Sequence, residues 1–357
     1  MSAKGRAGAL GAVAGVLAVG AAAGLAAERY AVGRTRLRPD PEAREPFFEL
    51  PADRTRQVVA DDGITLHVEE VGPTRAAGPT LVFLHGYTQE MAVWHYQRQA
   101  FALDNPGRLV FYDHRSHGRS ERGHADRATI DQLGRDLHAV LEQCCPIGPV
   151  VLIGHSMGGM TIMALADQHP ELFGSRVVGV ALLSTSTGKL AQAAFGLPSA
   201  VVPVTRRVVP FVTRGMRRRP RAFERGRRLG TDLAFLISRS WAFGARDVSP
   251  ALVEFVERMF ANAPVDVIAE FYDTFVDHEK LDALRVLDAV PTLILVGTKD
   301  KLTPLDHSRV MAEMLPSAHL VEVEGAGHMV QLERGALVTL HLRALLRRTT
   351  ACVARTA

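Results

Sequence analysis

The sequence predicts an α/β protein built on a mostly parallel, doubly wound sheet, with a helical cap inserted into it. Three observations carry that expectation. Short apolar, β-rich runs alternate with segments of helical periodicity over residues 57–187. The alternation then stops for about a hundred residues of mainly helical pattern, and it resumes at Thr292.

Composition sets the outer bounds. With 357 residues and 47% apolar side chains, the chain can bury one large core. The net charge of +4 is small but unevenly placed, with arginines gathered at Arg29–Arg38 and again at Arg206–Arg228. Cys144 and Cys145 are adjacent and Cys352 lies in the tail, which fits neither a disulfide framework nor zinc-ligand spacing.

At the N-terminus, Lys4 and Arg6 precede an uncharged run, Ala7–Ala27, that would span about 31 Å as a helix, close to a bilayer core. Residues 1–28 are therefore expected to anchor the chain in a membrane. A cleaved signal peptide, with Ala21-Ala22-Ala23 as the processing site, is the alternative and would make the protein secreted. Arg29, Arg34, Arg36 and Arg38 follow the run and favour a cytoplasmic catalytic domain. Residues 29–56, rich in Pro, Glu and Arg, read as a linker wrapping onto the domain.

The first part of the core, 57–187, opens with a hairpin, Gln57–Ala60 and Ile64–Val71, turned by Asp61-Asp62-Gly63. Leu81–Leu84 is a buried strand ending at His85-Gly86, followed by a helix from Met91 to Leu103 and a strand from Leu109 to Tyr112. Thr129 and Gln132 have capping-box spacing ahead of a helix to Gln143. A strand (Val150–Ile153), a helix (Met157–Gln168) and a strand (Val177–Leu183) complete this part. The cap, 188–290, has candidate helices at Phe223–Phe243, Pro250–Asn262 and Val265–Asp277, with Ser249-Pro250 as a helix start. The second part, 291–348, supplies a strand (Thr292–Val296), a helix from Thr303-Pro304 to Leu315, a strand (His319–Val323) and a helix (Gln331–Arg347), before a tail over 349–357.

The chemistry centres on PVVLIGHSMGGM, Pro149–Met160, a strand that runs through Gly154-His155-Ser156-Met157-Gly158 directly into a helix. This order is that of a nucleophile elbow, in which glycines without Cβ atoms permit a tight turn and leave Ser156 at its apex. A serine hydroxyl needs a general base, a carboxylate to orient that base, and donors for an oxyanion. Asp300 follows the strand Thr292–Val296 and His328 follows the last strand, so both emerge at the sheet edge that carries Ser156.

These motifs resemble the α/β-hydrolase fold superfamily, over roughly Arg56–Arg348: LHGYT (Leu84–Thr88), YDHRSHGRS (Tyr112–Ser120), GHSMGG (Gly154–Gly159), VGTKDKLTP (Val296–Pro304) and GAGHM (Gly325–Met329). The resemblance implies Ser156, Asp300 and His328 as a catalytic triad, with the backbone N–H groups of Tyr87 and Met157 as the oxyanion hole. Ser116 stands where similar proteins usually have glycine. A serine at the apex, rather than the aspartate of similar epoxide hydrolases and haloalkane dehalogenases, implies acyl chemistry.

The expected function is hydrolysis of a carboxylic ester, with a lipid-like acyl ester among the candidate substrates, through an acyl-enzyme and without a cofactor. A cofactor-free perhydrolase of the haloperoxidase type and a carbon–carbon bond hydrolase are alternatives with the same triad. A membrane-tethered binding protein that has lost activity is the alternative from another class, and the complete triad argues against it. His85, Asp113, His114 and His117 are zinc-ligand types, but they read as loop residues bonded to backbone, and no metal is expected. Arg206–Arg228 reads as a solvated helical face rather than a lipid-headgroup site with Phe211, Val212 and Phe223, and nucleic acid is not an expected partner. Trp241, Phe243, Phe271, Tyr272 and Phe275 read as cap core, with the lining of a substrate pocket as the alternative.

Overall fold

In this computed structural model, β1 (Arg54–Val59) and β2 (Thr65–Val71) pair antiparallel about a turn in which Gly63 holds φ at 87°. The described residues are 40–74, 78–104, 107–188, 202–229, 239–245 and 247–356. The run 7–27 expected to cross a membrane lies outside them, as do residues 29–39 of the linker. No helix among the described residues is long and apolar enough to cross a bilayer. β1 begins inside the stretch read as linker, because Arg54 and Arg56 both pair with the buried Glu70 of β2.

β3 (Thr80–Leu84), β4 (Leu109–Tyr112), β5 (Val150–His155), β6 (Val177–Leu183), β7 (Thr292–Gly297) and β8 (His319–Val323) complete one sheet. Its order is β1-β2-β4-β3-β5-β6-β7-β8, and every pair from β4 to β8 is parallel. Two-residue periodicity sends Leu81 and Phe83 into one layer and Val82 and Leu84 into the other. The first layer packs under α1 (His95–Asp104) and the long C-terminal helix. The second packs under α2 (Ile130–Cys144), α3 (Met157–Gln168) and a helix at Leu305–Met314. Residues 91–94 form a 3₁₀ turn ahead of α1 rather than its first helical turn. The Thr129 hydroxyl accepts from Gln132 N–H, but the Gln132 side chain reaches Asp61 instead of returning, so half of the expected capping box forms.

The insertion between β6 and β7 is helical. Its described parts are α4 (Val202–Arg218), α5 (Pro220–Leu229), α6 (Pro250–Asn262) and α7 (Val265–Asp277). The helix expected over Phe223–Phe243 is described only towards its ends: residues 223–229 lie in α5 (Pro220–Leu229), residues 239–242 are helical, and residues 230–238 lie outside the described set. The stretch Arg206–Arg228 breaks at Arg219, since a residue before proline is pushed out of helical geometry and Pro220 takes the first position of the next helix. α8 (Leu305–Met314) follows β7. After β8, the expected closing helix is divided into α9 (Val330–Glu333) and α10 (Gly335–Thr356).

Candidate active site

Ser156 joins β5, whose six residues are all buried, to α3 in a turn with φ 52° and ψ −117°. A non-glycine residue is strained there, so its surroundings must hold it. Ser156 N–H donates to Leu183 O at 2.9 Å, and Thr185 Oγ1 donates to Ser156 O at 2.7 Å, fastening the turn to the end of β6. The flanking glycines are sterically required. A Cβ on Gly154 would lie 2.5 Å from Gly158 backbone, and one on Gly158 would lie 2.3 Å from Leu84 O. The serine is half-buried, and its side chain does not cap α3.

Asp300 and His328 come together from β7 and the loop after β8. His328 Nδ1 lies 2.9 Å from Asp300 Oδ2, so Nδ1 carries the proton and Nε2 keeps its lone pair. Burial pushes the Asp300 carboxyl up, but the His328 imidazole and the bonds from His328 and Thr303 outweigh it and hold the group below its ordinary 3.8. Oδ1 accepts from Leu302 N–H and Thr303 N–H, each at 2.9 Å, while Oδ2 accepts from Thr303 Oγ1. Ser156 lies next to this pair through His155, whose Nε2 is 2.9 Å from His328 O. The Ser156 hydroxyl makes no hydrogen bond to His328 among the described residues, and such bonds often tighten only when substrate is present.

Tyr87 and Met157 belong to one small packed cluster beside the elbow. Tyr87 follows β3 in a loop held by Gly86 N–H donating to Gln89 Oε1 at 3.0 Å; Met157 opens α3. The N–H groups of both donate to no backbone acceptor among the described residues; for Met157 the reason is that the first turn of a helix leaves its donors free. The Tyr87 hydroxyl donates to Ile268 O of α7, and burial pushes its phenol well above the ordinary range. Its ring meets Phe275 edge-on at 4.9 Å, and Phe271, Val267 and Met157 pack into the same small cluster. Of the five cap aromatics singled out in the sequence, Phe271 and Phe275 therefore adjoin the site. Phe243 is buried in the main core and Trp241 is 39% exposed.

The four histidines near the elbow are neutral. Burial is the leading cause, taking His85 well below 6.5, His114 and His155 to about 3 and His117 to about 4. His85 Nδ1–H donates to Gly86 O and its Nε2 accepts from His114 N–H; His114 Nε2–H returns to His85 O. These bonds tie the loop after β3 to the loop after β4. Asp113 accepts from Met91 N–H and Arg119 N–H, both at 2.8 Å. Ser116 adopts φ 64°, the conformation that favours glycine, and its Oγ accepts from Gly123 N–H at 3.0 Å and Arg122 Nη1 at 3.1 Å. The loop is thus kept in shape without the glycine.

Two supports, the buried Gln89 and the half-buried Glu333, are not foreseen from the sequence. Gln89 contacts Gly86 of its own loop, His155 at the end of β5 and Met329 beside His328. Glu333 accepts from Gly327 N–H (2.8 Å), Gly244 N–H (3.0 Å) and Ala245 N–H (2.7 Å), joining the loop of His328 to the cap. The approach is close enough that a Cβ on Gly327 would lie 2.5 Å from Gly244 N. Neither residue sits in a motif, because acceptors for loop N–H groups can come from any part of the chain.

The model of a family described as the alpha/beta hydrolase fold matches residues 79–335. The sn-1-specific diacylglycerol lipase ABHD11 of Mus musculus is 27% identical over 260 residues, covering 72% of this chain and 77% of that protein. The dihydrolipoyllysine-residue acetyltransferase component of the acetoin cleaving system of Pseudomonas putida is 26% identical over 273 residues, 76% of this chain and 64% of that one. A solved thermophilic esterase from Thermogutta terrifontis superposes with a TM-score of 0.63 at 23% identity, over 83% of this chain and 99% of the esterase.

Proposed function

Because the chain belongs to the α/β-hydrolase fold family, we propose that it is a serine hydrolase cleaving carboxylic esters through an acyl-enzyme. The observation that carries this reading is the 2.9 Å contact of His328 Nδ1 with Asp300, set beside the strained turn of Ser156. In the first step His328 Nε2 takes the Ser156 proton as Oγ attacks the ester carbonyl. The oxyanion forms where Tyr87 N–H and Met157 N–H are free to donate. Asp300 offsets the imidazolium charge. His328 then gives its proton to the departing alkoxide, and a water, deprotonated by the same nitrogen, releases the acid and restores Ser156.

Similarity to a diacylglycerol lipase supports an acyl ester as the substrate class and favours a lipid-like one. The helices at 202–289 act as a cap over the site, between core segments 57–187 and 291–348. The apolar run 7–27 serves as a membrane tether with the catalytic domain on the cytoplasmic side, a reading that rests on sequence alone. N-terminal sequencing of membrane-fraction protein tests that tether, and a start after Ala23 or Ala27 rejects it.

The function itself is tested by turnover of p-nitrophenyl esters of graded chain length. The Ser156→Ala protein is expected to lose about 10⁴-fold or more in kcat and all labelling by a fluorophosphonate probe, which in the parent maps to Ser156. Equal turnover by the two proteins rejects serine catalysis.

A further inference from the structure

Between Val202 and Leu229 the chain carries ten arginines, no lysine and a single acid, Glu224. Guanidinium forks bind phosphate oxygens two at a time, which an ammonium cannot do. A solvated helical face predicts polar side chains outermost, yet Phe211 is 77% exposed, and Val212 and Phe223 are also exposed. The two rings form one strip. Phe223 lies over Gly215, where a Cβ would come 3.2 Å from its ring, and Phe211 stands one helical turn before Gly215 on the same face. Arg214 and Arg218 are exposed at helical spacing from Phe211, and Arg219, Arg221 and Arg225 are exposed nearby. Arg217 turns the other way and pairs with Asp273 of α7 at 2.9 Å, fastening the face to the cap.

We propose that α4 and α5 form a docking face for anionic lipid bilayers. Arginines would hold headgroup phosphates while Phe211, Val212 and Phe223 enter the boundary of the acyl chains. A nucleic acid duplex offers the same phosphates, but its bases are already stacked and leave exposed apolar side chains flanked by arginine nothing to bury against. The position of the face fits the site. α4 packs on α7, and α7 also receives the Tyr87 hydroxyl at Ile268 O. Docking therefore brings the cap and the site to a source of lipid-like ester. That last link rests on the esterase reading, whereas docking itself does not.

The full-length protein carries Trp94, fully buried, and Trp241, so a Phe211→Trp variant compared with the parent reports the face locally. Vesicles of phosphatidylcholine, with and without about 30% phosphatidylglycerol to supply a negative surface potential, are prepared with brominated acyl chains. Insertion of the N-terminal run, with the arginines that flank it, would leave position 211 unquenched and would be insensitive to substitutions in α4 and α5. The expected result is a blue shift and quenching on anionic vesicles, reversed by salt. Each arginine near the surface adds about five-fold to affinity, so Arg218→Glu with Arg219→Glu is expected to lower it by at least about ten-fold, as is Phe211→Ser with Phe223→Ser. Both pairs should keep parental turnover of soluble p-nitrophenyl esters. Absent quenching, or equal quenching on zwitterionic vesicles, overturns the proposal. Tighter binding to duplex DNA, unaffected by the serine pair, would assign the face to nucleic acid instead. Failure of the esterase reading shows separately, as no turnover of soluble esters.

Discussion

His155 Nε2 donates to the carbonyl oxygen of His328 at 2.9 Å, so the residue preceding the candidate nucleophile holds the backbone of the candidate base. Both side chains are buried, with ring centroids 4.8 Å apart. Because burial keeps His155 neutral, at about 3, this contact is a fixed hydrogen bond at working pH and not a second titrating group. It couples two loops that are 173 residues apart.

Replacing His155 removes that coupling. The His155→Leu protein is expected to fold and to label at Ser156 with a fluorophosphonate, but about ten- to a hundred-fold more slowly, since small misplacements of a base carry costs of that size. Labelling rate beside the thermal unfolding midpoint checks it. An unchanged rate would show that His328 is held adequately by Asp300 alone.

Asp300→Asn tests the tautomer. Oδ1 is claimed by the N–H groups of Leu302 and Thr303, so the new amide nitrogen must take the Oδ2 position facing His328 Nδ1. It donates there, which moves the imidazole proton to Nε2 and leaves no lone pair for the Ser156 proton. A loss of about 10⁴-fold in kcat is expected, with an unfolding midpoint near that of the parent. Steady-state kinetics with circular dichroism give both readings.

Glu333→Ala orphans three N–H groups at the junction of the cap and the histidine loop. A stability loss of about 2–4 kcal/mol is expected after water takes up part of the loss, together with a fall in kcat. Glu333→Gln should be milder, since one oxygen remains to serve Gly244 and Gly327. Urea denaturation of both variants ranks them, and an equal effect would contradict the fork geometry.

Glu90 gives the expected pH dependence. Burial first, and the nearby Asp113 second, raise its carboxyl from 4.5 to about 7. A raised folded-state value means that the neutral form is favoured in the fold. Its contribution to stability is full below pH 4.5 and is lost as pH rises through about 7, an effect of order 2 kcal/mol. The Glu90→Gln protein should lack that decline, so its unfolding midpoint at pH 8 should exceed the parent's. Melting curves from pH 4 to pH 8 decide, and parallel profiles would rule the effect out (~pH 4–8 brackets both carboxyl values).

Most of the sheet was legible in the sequence because strand identity here is local. Leu109–Tyr112, Val177–Leu183 and His319–Val323 are runs whose apolar content and turn-forming flanks settle where they start and stop, and β5 with Ser156 follows from glycines that no side chain can replace. The order Ser156, Asp300, His328 was equally readable, since each follows a strand and parallel strands end on one edge. The cap was less so. Phe223–Phe243 has continuous helical periodicity, but the helix that holds Phe223 starts earlier, at Pro220, where the proline takes the first helical position after Arg219.

The sequence by itself thus determined the sheet, the elbow and the three residues brought to its rim. The tertiary structure decided what holds them: His155 on His328, Gln89 between Gly86, His155 and Met329, and Glu333 on Gly327, Gly244 and Ala245. The reason is physical. Apolar periodicity is written into neighbouring residues, whereas a loop N–H donates to any acceptor that folding brings within about 3 Å, however distant along the chain.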